Sequence, residues 1–232
     1  MSRPYYERGG VTLYHADCRD VLPSLDRATF AALVMDPPYG IAYESGRESS
    51  WKGRQVANDG DVFVRDYVLA WAGDMPVACF GSWRAPRPVH ARARLVWDKG
   101  PQAGMGDLSL PWKPSDEEVY ILGQGWVGHR DEGVLKGFFQ ISWESAGRVH
   151  PNEKPVALLA HLVNKAPAGR ILDPFAGSGP TLRAALDAGR EVVGVEIEEH
   201  YCEAIALRIE AALDGVKPAE RKAGQVGLFG AA

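Results

Sequence analysis

Two short segments of the chain carry residue types that chemistry needs, each directly after an apolar run. The first, AALVMDPPYG, runs from apolar Ala31 to Met35 and then presents Asp36, Pro37, Pro38 and Tyr39. An apolar run of this kind reads as a buried strand. Asp36 then stands where the strand leaves the sheet at its carboxyl end, the edge at which α/β sheets bind ligands. Two consecutive prolines fix φ and stiffen the backbone, which leaves the Pro37 carbonyl without competing local demands and holds Tyr39 at a defined angle. A carboxylate, a carbonyl and an aromatic ring presented so rigidly suit an active site. The plainer alternative is a proline-rich strand exit with a surface carboxylate.

The second segment, RILDPFAGSGPTLRAALDAGREVVGVEI from Arg170 to Ile197, reads as a strand, a glycine turn, a helix and a strand ending in the acid Glu196. Gly177 and Gly179 let the backbone approach a ligand closely, and the helix that follows offers free N–H groups to an anionic carboxylate. Glu196, at the end of the next strand, can bind both hydroxyls of a ribose. A ribose-containing cofactor is implied. Asp173 and Pro174 directly before the glycines depart from the dinucleotide fingerprint, which disfavours NAD.

These segments need a sheet to position them. Short β-branched runs bounded by turn residues predict strands at 11–15, 32–35, 76–80, 94–97, 119–122, 170–172 and 191–195. Helical spacing predicts helices over 154–165, 179–188 and 199–213, with Gly189 stopping the second. The expected fold is α/β: a Rossmann-like, mostly parallel seven-stranded sheet with helices on both faces. With 232 residues the chain fits one such domain, taken as residues 1–213, followed by a polar tail over 214–232. Residues 41–60 and 123–150 lack periodicity and are expected to be long irregular segments, a length that usually signals function or disorder.

Four segments in one order resemble the amino-methyltransferases that act on DNA. DPPYG at 36–40 is similar to their catalytic motif and LDPFAGSG at 172–179 to their S-adenosylmethionine motif. HADCRDVL at 15–22 is similar to their cofactor-adenine segment. LVWDKG at 95–100 resembles their Trp-x-Lys strand, and HPNEKPVALLAHLV at 150–163 the segment beside the methionine moiety. The catalytic motif precedes the cofactor motif, as in the circularly permuted β group of DNA adenine N6-methyltransferases. The resemblance implies S-adenosyl-L-methionine as cofactor, held by Asp17, Cys18, Asp36, His150, Lys154, Asp173, Phe175, Gly177, Ser178, Gly179, Thr181 and Glu196. It departs from the family at Pro180 and Asn152, where threonine is common.

The chemistry implied is transfer to an exocyclic amine. An adenine amino nitrogen is a poor nucleophile because its lone pair is delocalised into the ring. The Asp36 carboxylate and the Pro37 carbonyl, each accepting one amino proton, would localise that pair toward the sulfonium methyl. Tyr39 would stack on a base extruded from the duplex, with Pro38 fixing its approach. Asp36 polarises and accepts a proton late, since a carboxylate of pKa ~3.9 is too weak a base to deprotonate a neutral amine first. No His, Cys and carboxylate cluster stands at metal-ligand spacing. N4-cytosine methylation uses the same groups and is the runner-up within enzymes. A catalytically silent DNA-binding or clamp-associated module is the alternative from another class.

DNA must be held by positive charge, and the formal net charge is −4. The distribution is more favourable: Arg84, Arg87, Arg92, Arg94 and Lys99 run together against a single Asp98, while acids gather at Glu196, Glu198, Glu199 and Glu203. A solvated surface run is the alternative. Arg47, Lys52 and Arg54 of the 41–60 loop are further candidates for DNA contact, and Gln124, Trp126, His129 and Arg130 of the second irregular segment for base reading. Hydrophobic packing is the competing role for Trp126 and Trp143. In the tail, Gln225, Leu228 and Phe229 resemble the peptide that docks on the bacterial replication sliding clamp. Cys18, Cys79 and Cys202 show no CxxC spacing and are expected to be reduced thiols. No apolar run reaches membrane-spanning length, and the start MSRPYYERGG lacks the apolar core of a secretory signal, so the expected location is the cytoplasm.

Overall fold

The computed structural model describes residues 3–41, 60–100, 103, 106, 108–138 and 153–216. The seven expected strands are all present: β2 (Val11–His15), β3 (Phe30–Met35), β4 (Val77–Gly81), β5 (Ala93–Asp98), β6 (Asp116–Leu122), β8 (Arg170–Asp173) and β9 (Val192–Glu196). Two short strands join them at the margins, β1 (Tyr6–Arg8) and β7 (Val134–Leu135), the latter inside the segment expected to be irregular. The nine form one sheet in the order β1-β2-β9-β8-β3-β4-β6-β5-β7. Its central pairs β2·β9, β9·β8, β8·β3 and β3·β4 are parallel, whereas β6 runs antiparallel to both β4 and β5.

Five α-helices lie among the described residues: α1 (Cys18–Val21), α2 (Phe63–Ala72), α3 (Val156–Asn164), α4 (Pro180–Asp187) and α5 (Glu199–Leu213). The alternation of β3 shows why two helical layers form. Ala32 and Val34 point into one core with Leu158, Leu162, Leu182, Ile205 and Ile209 of α3, α4 and α5. Leu33 and Met35 point into the opposite core with Val21, Val64 and Val68 of α1 and α2. Period-two alternation on a strand that is buried on both faces requires apolar residues at every position, which is what the run supplies. None of the described helices is long and apolar enough to cross a membrane.

Helix α2 escapes the periodicity reading because apolar residues lie all round it. Val64, Val68 and Ala72 are buried, but Phe63 is largely exposed and Leu69 and Trp71 only half-buried. At α3 the difference runs the other way. The expected helix start at Lys154 moves to Val156, because Pro155 holds an extended ψ of 130° and a residue before proline is biased away from the helical region. Lys154 is thereby kept out of the helix. Gly189, with φ of 67°, ends α4 by donating to Leu186 O, as the sequence predicts.

Along the chain, β3 leads to β4 on one side while β8 leads to β9 on the other. The strand order thus reverses between β3 and β8. A crevice outside the carboxyl ends of the strands opens at such a switch point.

Candidate active site

Leu33 of β3 is paired with Leu172 of β8 in parallel register, so Asp36 and the turn after Asp173 emerge side by side from one edge. Glu196 and Asp17 share that edge, since His15 at the end of β2 pairs with Glu196 at the end of β9. The antiparallel β6 begins there too, with Glu118 opposite Gly81, and brings Glu117 to the same place.

Both oxygens of Asp36 are engaged. Oδ1 accepts from the Tyr39 hydroxyl at 2.8 Å, and Oδ2 lies 2.6 Å from Lys154 Nζ. Lys154 also reaches Glu117 Oε2 at 3.1 Å, and its ammonium lies 5.1 Å from the centre of the Phe80 ring. The other oxygen of Glu117 is paired with Lys99. Burial alone would pull the Lys154 pKa down, but the Asp36 and Glu117 carboxylates outweigh it and raise it. Burial pushes Glu117 up, and Lys154 and Lys99 more than reverse that, leaving it below the usual range. Two anions and two cations therefore persist together, which is the condition for keeping charge at a poorly solvated place. Burial, with the Asp36 and Glu117 charges, holds the Tyr39 hydroxyl protonated and well above its ordinary pKa. Of the four charged side chains, Asp36 is the most open, with 33% of its side chain exposed against 5% for Lys154.

The glycine turn forms the other half. Asp173 is buried and accepts from the Phe175 amide at 3.0 Å. Burial lifts its carboxyl to about 7 against the lowering effect of hydrogen bonds from Thr181 and Phe175. Glu196 Oε2 accepts from the Gly177 amide at 2.7 Å and Oε1 from the Glu198 amide at 2.8 Å. Burial raises its pKa and these backbone donors oppose the rise. Gly177, with φ of 53°, has nothing within 4 Å of where a Cβ would stand, so this side of the turn borders open space. Gly179, with φ of 83°, is the packed side: a Cβ there would lie 2.8 Å from Ile205 Cγ1. Pro180 opens α4, where its missing N–H leaves no orphan donor.

The turn is braced from below. Ser178 Oγ donates to Glu153 Oε2 at 2.8 Å, Arg208 pairs with both oxygens of Glu153 at 3.1 Å, and Arg208 Nη1 donates to Ser178 O at 2.8 Å. Asp17 caps α1 by accepting from the Arg19 amide at 2.9 Å and is ion-paired with the Arg19 guanidinium, which lowers its pKa. Cys18 is buried, and that burial carries its thiol up to about 12. Phe175 packs half-buried on the second core.

Outside these two halves the expected residues scatter. Arg84 and Arg87 are exposed, Arg84 lying 5.3 Å over the Trp83 ring. Arg92, Arg94 and Lys99 are bonded to Gly123 O, Glu118 and Glu117, so much of the basic run is spent within the fold. Gln124, His129 and Arg130 are exposed, whereas Trp126 packs on the core and donates to Leu122 O, the packing role. Arg47, Lys52, Arg54, Trp143, His150, Gln225, Leu228 and Phe229 lie outside the described residues. Glu117, Glu153 and Arg208 are additions that the sequence reading missed. Glu153 had one signal, its place beside Lys154; Glu117 had none, because the direction of β6 is not readable from its residues.

A family model described as DNA methylase matches residues 112–207. The chain is 45% identical over 216 residues to "Putative methylase YubD" of Escherichia coli (strain K12), covering 84% of this chain and 88% of that protein. It is 28% identical over 269 residues to the type II methyltransferase M.ScaI of Streptomyces caespitosus, covering 91% and 85%. Among solved structures, the PvuII DNA methyltransferase (cytosine-N4-specific) superposes with a TM-score of 0.68 at 15% identity, covering 96% of this chain and 93% of that one. The M1.HpyAVI–SAM complex does so with a TM-score of 0.59 at 19% identity, covering 85% and 99%. The architecture is that of the S-adenosylmethionine-dependent methyltransferases. The chain belongs to the DNA methylase family.

Proposed function

We propose that this DNA methyltransferase methylates the N6 amino group of adenine, as a member of the permuted β group, with residues 1–213 as its catalytic unit. The observation that carries the reading is the adjacency of β3 and β8: an acceptor carboxylate, Asp36, stands one strand away from a glycine turn with an open face. The residues present fit the cofactor. Gly177 offers the close approach, the amides opening α4 suit a carboxylate, Asp173 suits an ammonium, and the Glu196 carboxylate suits ribose hydroxyls. When bound, S-adenosylmethionine supplies an electrophilic methyl group. Asp17, Cys18, Phe175, Ser178 and Thr181 complete the wall around it.

The chain's own residues then act on the base. The Asp36 carboxylate and the Pro37 carbonyl each accept one amino hydrogen, which localises the nitrogen lone pair and orients it. Tyr39, fixed by Pro38, stacks on the extruded ring. After transfer Asp36 holds the proton that the amine releases. Lys154 stays charged throughout and sets the carboxylate's position. Exposed Arg84 and Arg87 meet the phosphates, as do Arg47, Lys52 and Arg54 of residues 41–60, and residues of 123–150 such as Gln124 and Arg130 read the target sequence. The tail motif at Gln225, Leu228 and Phe229 is proposed to dock on a replication clamp; unchanged clamp binding by a Leu228→Ala, Phe229→Ala variant ends that idea.

The deciding experiment incubates the protein with labelled S-adenosylmethionine and DNA, digests the DNA to nucleosides and identifies the labelled base. N6-methyladenine is expected, and Asp36→Ala abolishes it. N4-methylcytosine as the product overturns the adenine assignment.

A further inference from the structure

The Asp36 carboxylate shares its two donors with a second acid. Tyr39 OH and Lys154 Nζ bond Asp36 at 2.8 and 2.6 Å, yet each is also within reach of a single atom, Glu117 Oε2, at 3.4 and 3.1 Å. We propose that Glu117 is a positioning residue for methyl transfer, the alternative acceptor to which Lys154 and the Tyr39 hydroxyl turn as the amino group of the target base takes up Asp36. This rests on the assignment of Asp36 as the amino-group acceptor.

The need for such a residue follows from the state of Asp36. A carboxylate whose oxygens are committed to an ammonium and a phenol has less electron density to offer a weakly acidic amino N–H. Lys154 cannot leave for water, because its side chain is only 5% exposed. A buried ammonium keeps its charge only if another anion receives it at hydrogen-bond distance. Glu117 meets that requirement from a fixed place. It pairs in register with Trp97, a fully buried residue of β5. Just beyond, the Lys99 amide donates to Ser115 O at 2.7 Å, which closes this end of the β5–β6 pair. Lys99 also occupies Glu117 Oε1, so Oε2 is the oxygen presented to the shared donors. The donors need only lean from one acid to the other. Ion pairing is conserved through the move, and no buried charge is left alone. A neutral side chain at 117 would instead leave Asp36 as the only anion for Lys154, tightening the pair that the substrate has to loosen.

The test uses the full chain with Glu117→Gln, Glu117→Asp and Asp36→Ala, followed by label transfer from S-adenosylmethionine to DNA. Glu117→Gln is expected to lower kcat on the order of 10- to 100-fold, as misplacement of a reacting group does, with KM for both substrates within about threefold of wild type. Glu117→Asp, which restores the charge on a shorter arm, falls between the two. Calorimetric affinity for S-adenosylmethionine stays at the wild-type value in both, and both keep a cooperative melting transition, lowered in Glu117→Gln because Lys99 loses the carboxylate it is paired with. A Glu117→Gln enzyme with unchanged kcat overturns the proposal, and so does a loss that tracks lowered cofactor affinity or a lost melting transition, since either marks a purely structural role. Asp36→Ala separates the two layers. An active Asp36→Ala enzyme removes the acceptor assignment itself, whereas an inactive one beside a fully active Glu117→Gln removes only the role of Glu117.

Discussion

Glu153 and Lys154, adjacent in the chain, grip opposite halves of the site: Glu153 holds Ser178 of the glycine turn and Arg208 of α5, while Lys154 holds Asp36 and Glu117. Successive side chains on extended backbone point to opposite sides, and Pro155 biases Lys154 toward that conformation. Two residues before α3 therefore tie the turn proposed to carry the cofactor to the cluster proposed to carry the reaction. Displacement of one half is felt by the other through a single stretch of backbone.

The first prediction concerns Arg208. Its guanidinium and Glu153 are both nearly buried, at 10% and 11% side-chain exposure, so Arg208→Met takes the counter-charge away from a poorly solvated carboxylate. Removing one partner of a buried ion pair costs about 3–5 kcal/mol. Urea denaturation should show a loss of that order, together with weaker S-adenosylmethionine binding, because Ser178 loses the Arg208 donor to its carbonyl and its other anchor, Glu153, loses its ion-pair partner. The double variant Glu153→Gln, Arg208→Met should recover part of the stability. Equal stability of the single and double variants would show that the pair is not the cause.

Gly179 gives a sharper steric case. Its φ of 83° disfavours any side chain, and an added Cβ would stand 2.8 Å from Ile205 Cγ1. Gly179→Ala should destabilise the protein by more than about 1 kcal/mol, the strain term for alanine at positive φ plus the contact. At Gly177, where nothing lies within 4 Å, alanine should cost less stability and more cofactor affinity. Melting temperatures and calorimetric titration of the two alanine variants distinguish these effects.

Much of this was legible in the sequence because it is local. Apolar runs such as 31–35 mark strands buried on both faces, and the Asp-Pro-Pro-Tyr and glycine-turn segments name their own chemistry. Adjacency of Asp36 and Gly177 was legible only as a consequence of the fold class. What sequence reading missed is long-range or directional. Glu117 joins Asp36 across 81 positions only because β6 runs antiparallel to β4, and Arg208 reaches Glu153 from the buried face of α5. The basic run misled in part for a related reason: a count of arginines cannot show that Arg92, Arg94 and Lys99 already have partners.

A third prediction separates the roles of the two acids at the turn. Glu196 receives the Gly177 and Glu198 amides, so Glu196→Ala leaves two backbone donors facing a poorly solvated space. Unsatisfied groups of this kind cost about 1–3 kcal/mol. Glu196→Gln keeps one acceptor oxygen but turns its NH2 toward the other backbone donor, so it should retain only part of the stability, and it loses the charged acceptor proposed for the ribose hydroxyls. KM for S-adenosylmethionine should rise in both variants, with kcat at saturating cofactor less affected. A Glu196→Gln enzyme with an unchanged KM for the cofactor speaks against that placement.

The last prediction follows from Asp173. Burial carries its carboxyl from 3.8 to about 7 in the folded protein, with the Asp36 and Glu196 charges adding to the rise. Because the folded pKa is the higher one, the unfolded chain releases this proton first as pH increases. Asp173 therefore contributes stability that is complete below about 4, declines as pH rises through the interval up to about 7, and is gone above it. Asp173→Asn cannot titrate. The melting temperature of the variant minus that of the wild type should thus climb between pH 4 and pH 7 and then level off. If Asp173 receives the ammonium of the cofactor, saturating S-adenosylmethionine favours the ionised carboxylate in the wild type and flattens that climb. A climb of the same size with and without cofactor would remove Asp173 from the cofactor's ammonium while leaving its titration as a buried carboxyl intact.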